Sequence, residues 1–154
     1  MCKIQGENEL KLLDFTNIRK IDFSKRKVKV GIIMNIYVGN DIIEVDRVKE
    51  AMKDPNFKIR VFTDNEIAYC EKKGRGKYQS YAARFAAKEA VFKAISPKIQ
   101  NKFEISWKNV EILKEEKDRP FVNLIGVNLK KVKIDISISH LEKYAVATAI
   151  AVFT

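Results

Sequence analysis

Nineteen residues from Lys77 to Ile95 (KYQSYAARFAAKEAVFKAI) contain neither glycine nor proline, and six of them are alanine. No other segment constrains the fold as strongly. Alanine loses least on entering a helix, and straight-chain residues lose little more. Gly74-Arg75-Gly76 precedes the run and Ser96-Pro97 follows it, and the residue before a proline is pushed out of helical backbone geometry. A single helix over 77–95 is therefore predicted, with small side chains that let a neighbouring layer approach closely. A chain of 154 residues suffices for one domain around such a helix.

Upstream, Met34 to Val38 reads as a buried strand, Gly39-Asn40 as a turn, and Val45 to Met52 as a helix, which puts Asp41 at a strand-to-helix junction. Asp54-Pro55 stops that helix. Thr63-x-x-Glu66 is a capping box that starts the next, running to about Lys73. Downstream, Trp107 to Leu113 and Phe121 to Ile125 read as strands, with a short helix expected near Gly126 to Lys131. Ile134, Ile136 and Ile138 then alternate with Asp135, Ser137 and Ser139, and Tyr144 to Phe153 reads as a buried strand across a tight connection. His140, the only histidine, ends the first strand of that hairpin. The expected class is α+β, a mostly antiparallel sheet with helices packed on it. Residues 1–33 stand apart, with the mixed stretch Ile18 to Val30 and no motif that carries chemistry. They read as an extension, an added strand, or the result of a start placed upstream of Met34; the domain is expected over 34–154.

The formal charge of +10, from 30 Lys and Arg against 20 Asp and Glu, draws in anionic partners by long-range steering. Nucleic acid, phosphorylated cofactors and acidic proteins all qualify. A basic nucleic-acid-binding domain without catalytic activity is the alternative from another class, but no RNP-like run, zinc-finger spacing or helix-turn-helix signal accompanies the charge. The longest apolar run, Tyr144 to Phe153, is far short of a membrane span. Met1 to Lys11 has no apolar core after a basic start, so the expected location is the cytoplasm.

Taken singly, the polar residues have plain readings. Asp41 suits a turn or a helix cap. Glu89 and Lys93, four apart, suit a surface ion pair worth about 0.2–0.5 kcal/mol. Arg84 and Lys88 suit a solvated helix face, and His140 a hydrogen-bonded structural role. Four stretches together change that reading: GNDIIEVDRV (39–48), RVFTDNEIAYC (60–70), YAARFAAKEAVFKA (81–94) and SISHLEKYAVA (137–147). In order and spacing they resemble the holo-acyl-carrier-protein synthase family of phosphopantetheinyl transferases. The resemblance runs from Met34 to the C-terminus, and RFAAKEAVFKA is its most specific part.

That resemblance implies a transfer of the 4′-phosphopantetheine arm of coenzyme A to a serine of apo acyl carrier protein, releasing adenosine 3′,5′-bisphosphate in support of fatty acid biosynthesis. It implies Mg²⁺ held by Asp41 and Glu89, Lys93 beside the coenzyme A phosphates, and Arg84, Ser139 and His140 on the nucleotide. Mg²⁺ suits such a site, since it accepts one or two carboxylates together with waters and phosphate oxygens. The proton of the serine goes either to a metal-bound water relayed through Glu89 or to a carboxylate directly. Arg47, with Arg60, would meet the acidic carrier protein, in a setting where basic rim residues mainly set approach rate and partner choice. The resemblance also implies a homotrimer with each active site at a subunit boundary. The chain departs from the family at Ser96-Pro97-Lys98, where a Gly-Thr-Gly loop is usual; proline lacks the N–H donor, and Lys98 offers a charge instead.

Overall fold

The computed structural model describes residues 34–99, 105–115, 118–127, 129 and 131–154. The stretch 1–33, set apart in the sequence, lies outside the described residues. Helix α4 (Lys77–Ile95) has the predicted bounds, and its six alanines are all buried. It lies on a three-stranded antiparallel sheet of order β1-β5-β4, formed by β1 (Asn35–Glu44), β4 (Val132–His140) and β5 (Tyr144–Phe153). Ala145, Ala147, Ala149 and Ala151 of β5 alternate inward and are buried to 1% exposure or less. Alanine thus meets alanine across the helix–sheet interface, which brings two backbones unusually close.

Gly39 follows from that closeness. A Cβ there would lie 1.9 Å from the Ala90 carbonyl oxygen and 2.7 Å from the Ala94 nitrogen. The expected turn at Gly39-Asn40 is therefore corrected: β1 continues through it, with Gly39 paired to Ala149 and Asp41 to Ala147. Glycine within a strand here marks backbone approach rather than a reversal. Asp41 sits inside the strand, and helix α1 (Val45–Ala51) begins only after Glu44.

Helix α2 (Pro55–Val61) is absent from the sequence reading. Asp54-Pro55 ends α1 but also starts α2, because Asp54 Oδ1 accepts from the Asn56 N–H at 2.9 Å and proline suits a first helical turn. Helix α3 (Asp64–Glu71) opens on the predicted capping box, closed in both directions between Thr63 and Glu66. Strands β2 (Val110–Lys114) and β3 (Pro120–Leu124) pair antiparallel as a second sheet. Trp107–Asn109, expected as strand, is a 3₁₀ turn. The helix expected at Gly126 to Lys131 is not found among the described residues there: Gly126 (φ 68°) and Lys131 (φ 56°) are left-handed, which a right-handed helix does not admit.

The solvated face expected for Lys88 is also corrected. Its ammonium is fully buried, 2.8 Å from Glu66 Oε2, and donates to the carbonyls of Trp107 and Val110. Glu66 in turn accepts from the Ile112 N–H at 2.9 Å. This polar knot ties α3 and α4 to the edge of β2.

Candidate active site

The Gly39–Ala90 contact sets β1 against α4 and so gathers Asp41, Glu89 and Lys93. Lys93 Nζ donates to Asp41 Oδ1 and to the Asn40 carbonyl, each at 2.8 Å. The i,i+4 pairing with Glu89 gives way to this cross-element bond. The Asp41 side chain is 17% exposed and that of Lys93 49%. Burial raises the Glu89 pKa, the neighbouring Asp41 charge raises it further, and Lys93 opposes both. Among the described residues the Glu89 side chain takes no hydrogen bond. Two neighbouring carboxylates, one of them without a donor among the described residues, are a donor set suited to a shared hard cation. No group of three or more metal-binding side chains occurs among the described residues, so any cation here would take its remaining ligands from water or substrate. Glu89 also borders a cavity of about 620 Å³ walled by Phe92, Ile99, Ile105 and Trp107.

A second cavity, of about 690 Å³, holds Arg84 and His140. Arg84, 6% exposed, stacks on Tyr69 with its guanidinium carbon 3.9 Å from the ring centroid. Its Nε has no hydrogen-bond partner among the described residues. A buried guanidinium with a free donor is suited to an anionic ligand. Lys73 and Lys114 line the same cavity. Burial pushes the Tyr69 phenol up, but the neighbouring Lys114 and Lys73 ammonium groups outweigh that and leave its pKa lowered. Nothing in the spacing of Tyr69, Lys73 and Lys114 singles them out in the sequence; only the fold collects them.

His140 pairs with Ala145, and so lies on the α4 side of the sheet with Asp41, one pleat further along. Ser139 pairs with Val146 and faces the other way, so it does not join His140 in this cavity. Arg84 and Glu89 are five residues apart on α4, which turns them about 140° from each other. Within one chain the two clusters therefore open onto separate cavities. Arg47 on α1 and Arg60 on α2 are exposed and have no ion-pair partner among the described residues, whereas Lys53 pairs with Glu50 and Lys58 with Glu71. Ser96–Lys98 forms a 3₁₀ turn, with the Lys98 ammonium over the Tyr37 ring, four residues along β1 from Asp41.

The sequence model of the 4′-phosphopantetheinyl transferase superfamily matches residues 37–149, spanning both clusters. The chain belongs to this superfamily. A holo-[acyl-carrier-protein] synthase of Ruminiclostridium cellulolyticum is 47% identical over 125 residues, covering 76% of this chain and 92% of the relative. One from Fusobacterium nucleatum is 38% identical, covering 76% and 98%. Among solved structures, a synthase from Bacillus anthracis in complex with CoA (3′,5′-ADP) matches with TM-score 0.66 and 29% identity, over 79% of this chain and all of that one. A Chronobacterium ammoniagenes ACPS–CoA complex matches with TM-score 0.68 and 25% identity, over 78% and 98%. Within the superfamily the chain is an enzyme of the holo-[acyl-carrier-protein] synthase type. The nucleic-acid-binding alternative finds no support among these relatives. No described helix is long and apolar enough to cross a membrane.

Proposed function

We propose that the protein moves 4′-phosphopantetheine from coenzyme A to a serine of apo acyl carrier protein, depends on Mg²⁺ held by Asp41 and Glu89, and serves fatty acid biosynthesis in the cytoplasm. The observation that carries this reading is the convergence of Asp41, Glu89 and Lys93 at the β1–α4 contact. In the reaction the serine Oγ bonds to the phosphorus next to the pantetheine arm, the bond to the other phosphate breaks, and adenosine 3′,5′-bisphosphate leaves. Mg²⁺ bound there would neutralise charge on the diphosphate. The Lys93 ammonium stabilises charge developing on the departing phosphate, where fixed positive donors are most effective. Glu89 accepts the serine proton, either directly or by relay through a water beside it.

Arg84 and His140 bind the nucleotide end, supported by the free Arg84 Nε and by Lys73 and Lys114 in the same cavity. Ser139, next to His140 on β4 but facing the other way, is proposed as a nucleotide contact on the resemblance alone. Since one chain keeps the two clusters apart, a complete site needs a second copy. The resemblance makes that assembly a homotrimer, and the sheet face opposite α4, where Ile36, Val38, Ile42 and Ile150 are exposed, supports association of copies. Residues 34–154 form the transferase domain. Arg47 and Arg60 meet the acidic carrier.

The test is direct. Incubated with Mg²⁺, coenzyme A and apo carrier protein, the enzyme is expected to add one phosphopantetheine mass to the carrier, and to stop doing so when EDTA removes the metal. Absence of the mass gain across several carriers overturns the activity; transfer unaffected by EDTA overturns the metal.

A further inference from the structure

We propose that the Lys93 ammonium is a stand-in for the divalent cation, holding Asp41 until the coenzyme diphosphate draws it away, so that metal and coenzyme load cooperatively. The proposal rests on the reading of Asp41 and Glu89 as the metal-holding pair. It starts from two bonds: Lys93 Nζ to Asp41 Oδ1 and to the Asn40 carbonyl, both at 2.8 Å. Carboxylate and carbonyl oxygens are also what Mg²⁺ seeks. Ammonium and metal thus compete for the same Asp41 carboxylate.

Exposure decides which partner can move. The Lys93 side chain is 49% exposed, whereas that of Asp41 is 17% exposed and fixed on a strand paired along its length. A lysine stem is flexible and its ammonium well hydrated, so it can leave without disturbing the fold. Glu89 takes no hydrogen bond from the described residues and feels Lys93 only through space. With coenzyme absent, a cation must therefore break the ion pair and tolerate the displaced ammonium nearby. With coenzyme present, phosphate oxygens accept the ammonium and also offer ligands to the cation. By linkage, metal then raises coenzyme affinity by the same factor that coenzyme raises metal affinity.

A lysine that only binds phosphate makes a different prediction, because its removal leaves coenzyme-free metal affinity unchanged. Binding of Mn²⁺, followed by the loss of its free paramagnetic signal, separates the two. Without coenzyme A, Lys93→Met and Lys93→Gln are expected to bind Mn²⁺ about tenfold tighter than wild type, a typical coupling magnitude, while Lys93→Arg stays weak. Asp41→Asn, placed in the Lys93→Met background without coenzyme A, is expected to lose Mn²⁺. If that double variant binds Mn²⁺ as Lys93→Met does, the metal-pair reading beneath the proposal fails. If it loses Mn²⁺ but neither neutral Lys93 variant binds it tighter than wild type, the stand-in role alone is wrong. Circular dichroism of each variant confirms that a folded protein is being compared.

Discussion

Helix α4 carries two lysine–carboxylate pairs five residues apart, each closed at 2.8 Å, yet their surroundings differ sharply. Lys88 and Glu66 are both 0% exposed, and each has further partners: two carbonyls accept from Lys88, and the Thr63 and Ile112 N–H groups donate to Glu66. Burial lowers the Lys88 pKa, and the Glu66 charge works against that shift. Lys93 and Asp41 stand at the edge of solvent, where water can replace either partner. Equal distances therefore do not mean equal roles. A buried pair cannot open without stranding a charge, whereas an open pair can exchange partners, and that freedom suits a site that must admit a diphosphate.

The largest expected effect breaks the buried pair. Lys88→Ala leaves Glu66 charged and unpaired in the core, and should cost about 3–5 kcal/mol of stability, read from the urea denaturation midpoint. A loss below about 1 kcal/mol would place this pair with surface pairs and end the contrast. The next residue along the helix should behave in the opposite way. Glu89→Ala should lower phosphopantetheine transfer about 100- to 1000-fold, the range for losing one preorganised electrostatic group. Its stability, read from the same midpoint, should stay within about 1 kcal/mol of wild type, since no core contact is lost. Parallel loss of stability and rate would mean that site and core are not separable.

The sequence was most legible where one local signal dominates. The alanine run dictated α4, reciprocal hydrogen bonding dictated the Thr63–Glu66 box, and strict alternation gave β4. It misled where a residue serves a distant partner. Gly39 looks like punctuation, and only the Ala90 backbone pressed against it explains a glycine in mid-strand. Lys88 looks solvated because neither Glu66 nor the Val110 carbonyl is near it in sequence. Arg84, His140 and Ser139 came as one group from resemblance, whereas strand pleat and helix rotation separate Ser139 from His140 and Arg84 from Glu89. The second half of α2's start signal was hidden because Asp54-Pro55 also reads as a stop.

Gly39→Ala sharpens the comparison at an intermediate magnitude. Its Cβ would meet backbone, not a flexible side-chain end, so β1 and α4 must shift apart. Overpacking of this kind should cost about 1–3 kcal/mol. Because Asp41 and Lys93 span that same contact, transfer activity should fall along with the denaturation midpoint. Unchanged activity in a destabilised Gly39→Ala protein would show that the site tolerates a change in strand–helix spacing.

The smallest effect is the most diagnostic of the open pair. Asp41→Asn removes one charge from a bond of the same length as the Lys88–Glu66 bond. The Lys93 ammonium it leaves behind is half in water and keeps the Asn40 carbonyl. Solvent then replaces most of what is lost, and the stability change should be no more than about 1 kcal/mol, shrinking further as salt is added. Transfer should nevertheless fall far more than that figure implies, because the carboxylate serves the bound diphosphate and its cation, not the resting fold. A cost as large as that of Lys88→Ala would mean that Asp41 is a structural ion, and that the difference in burial between the two pairs does not govern what they do.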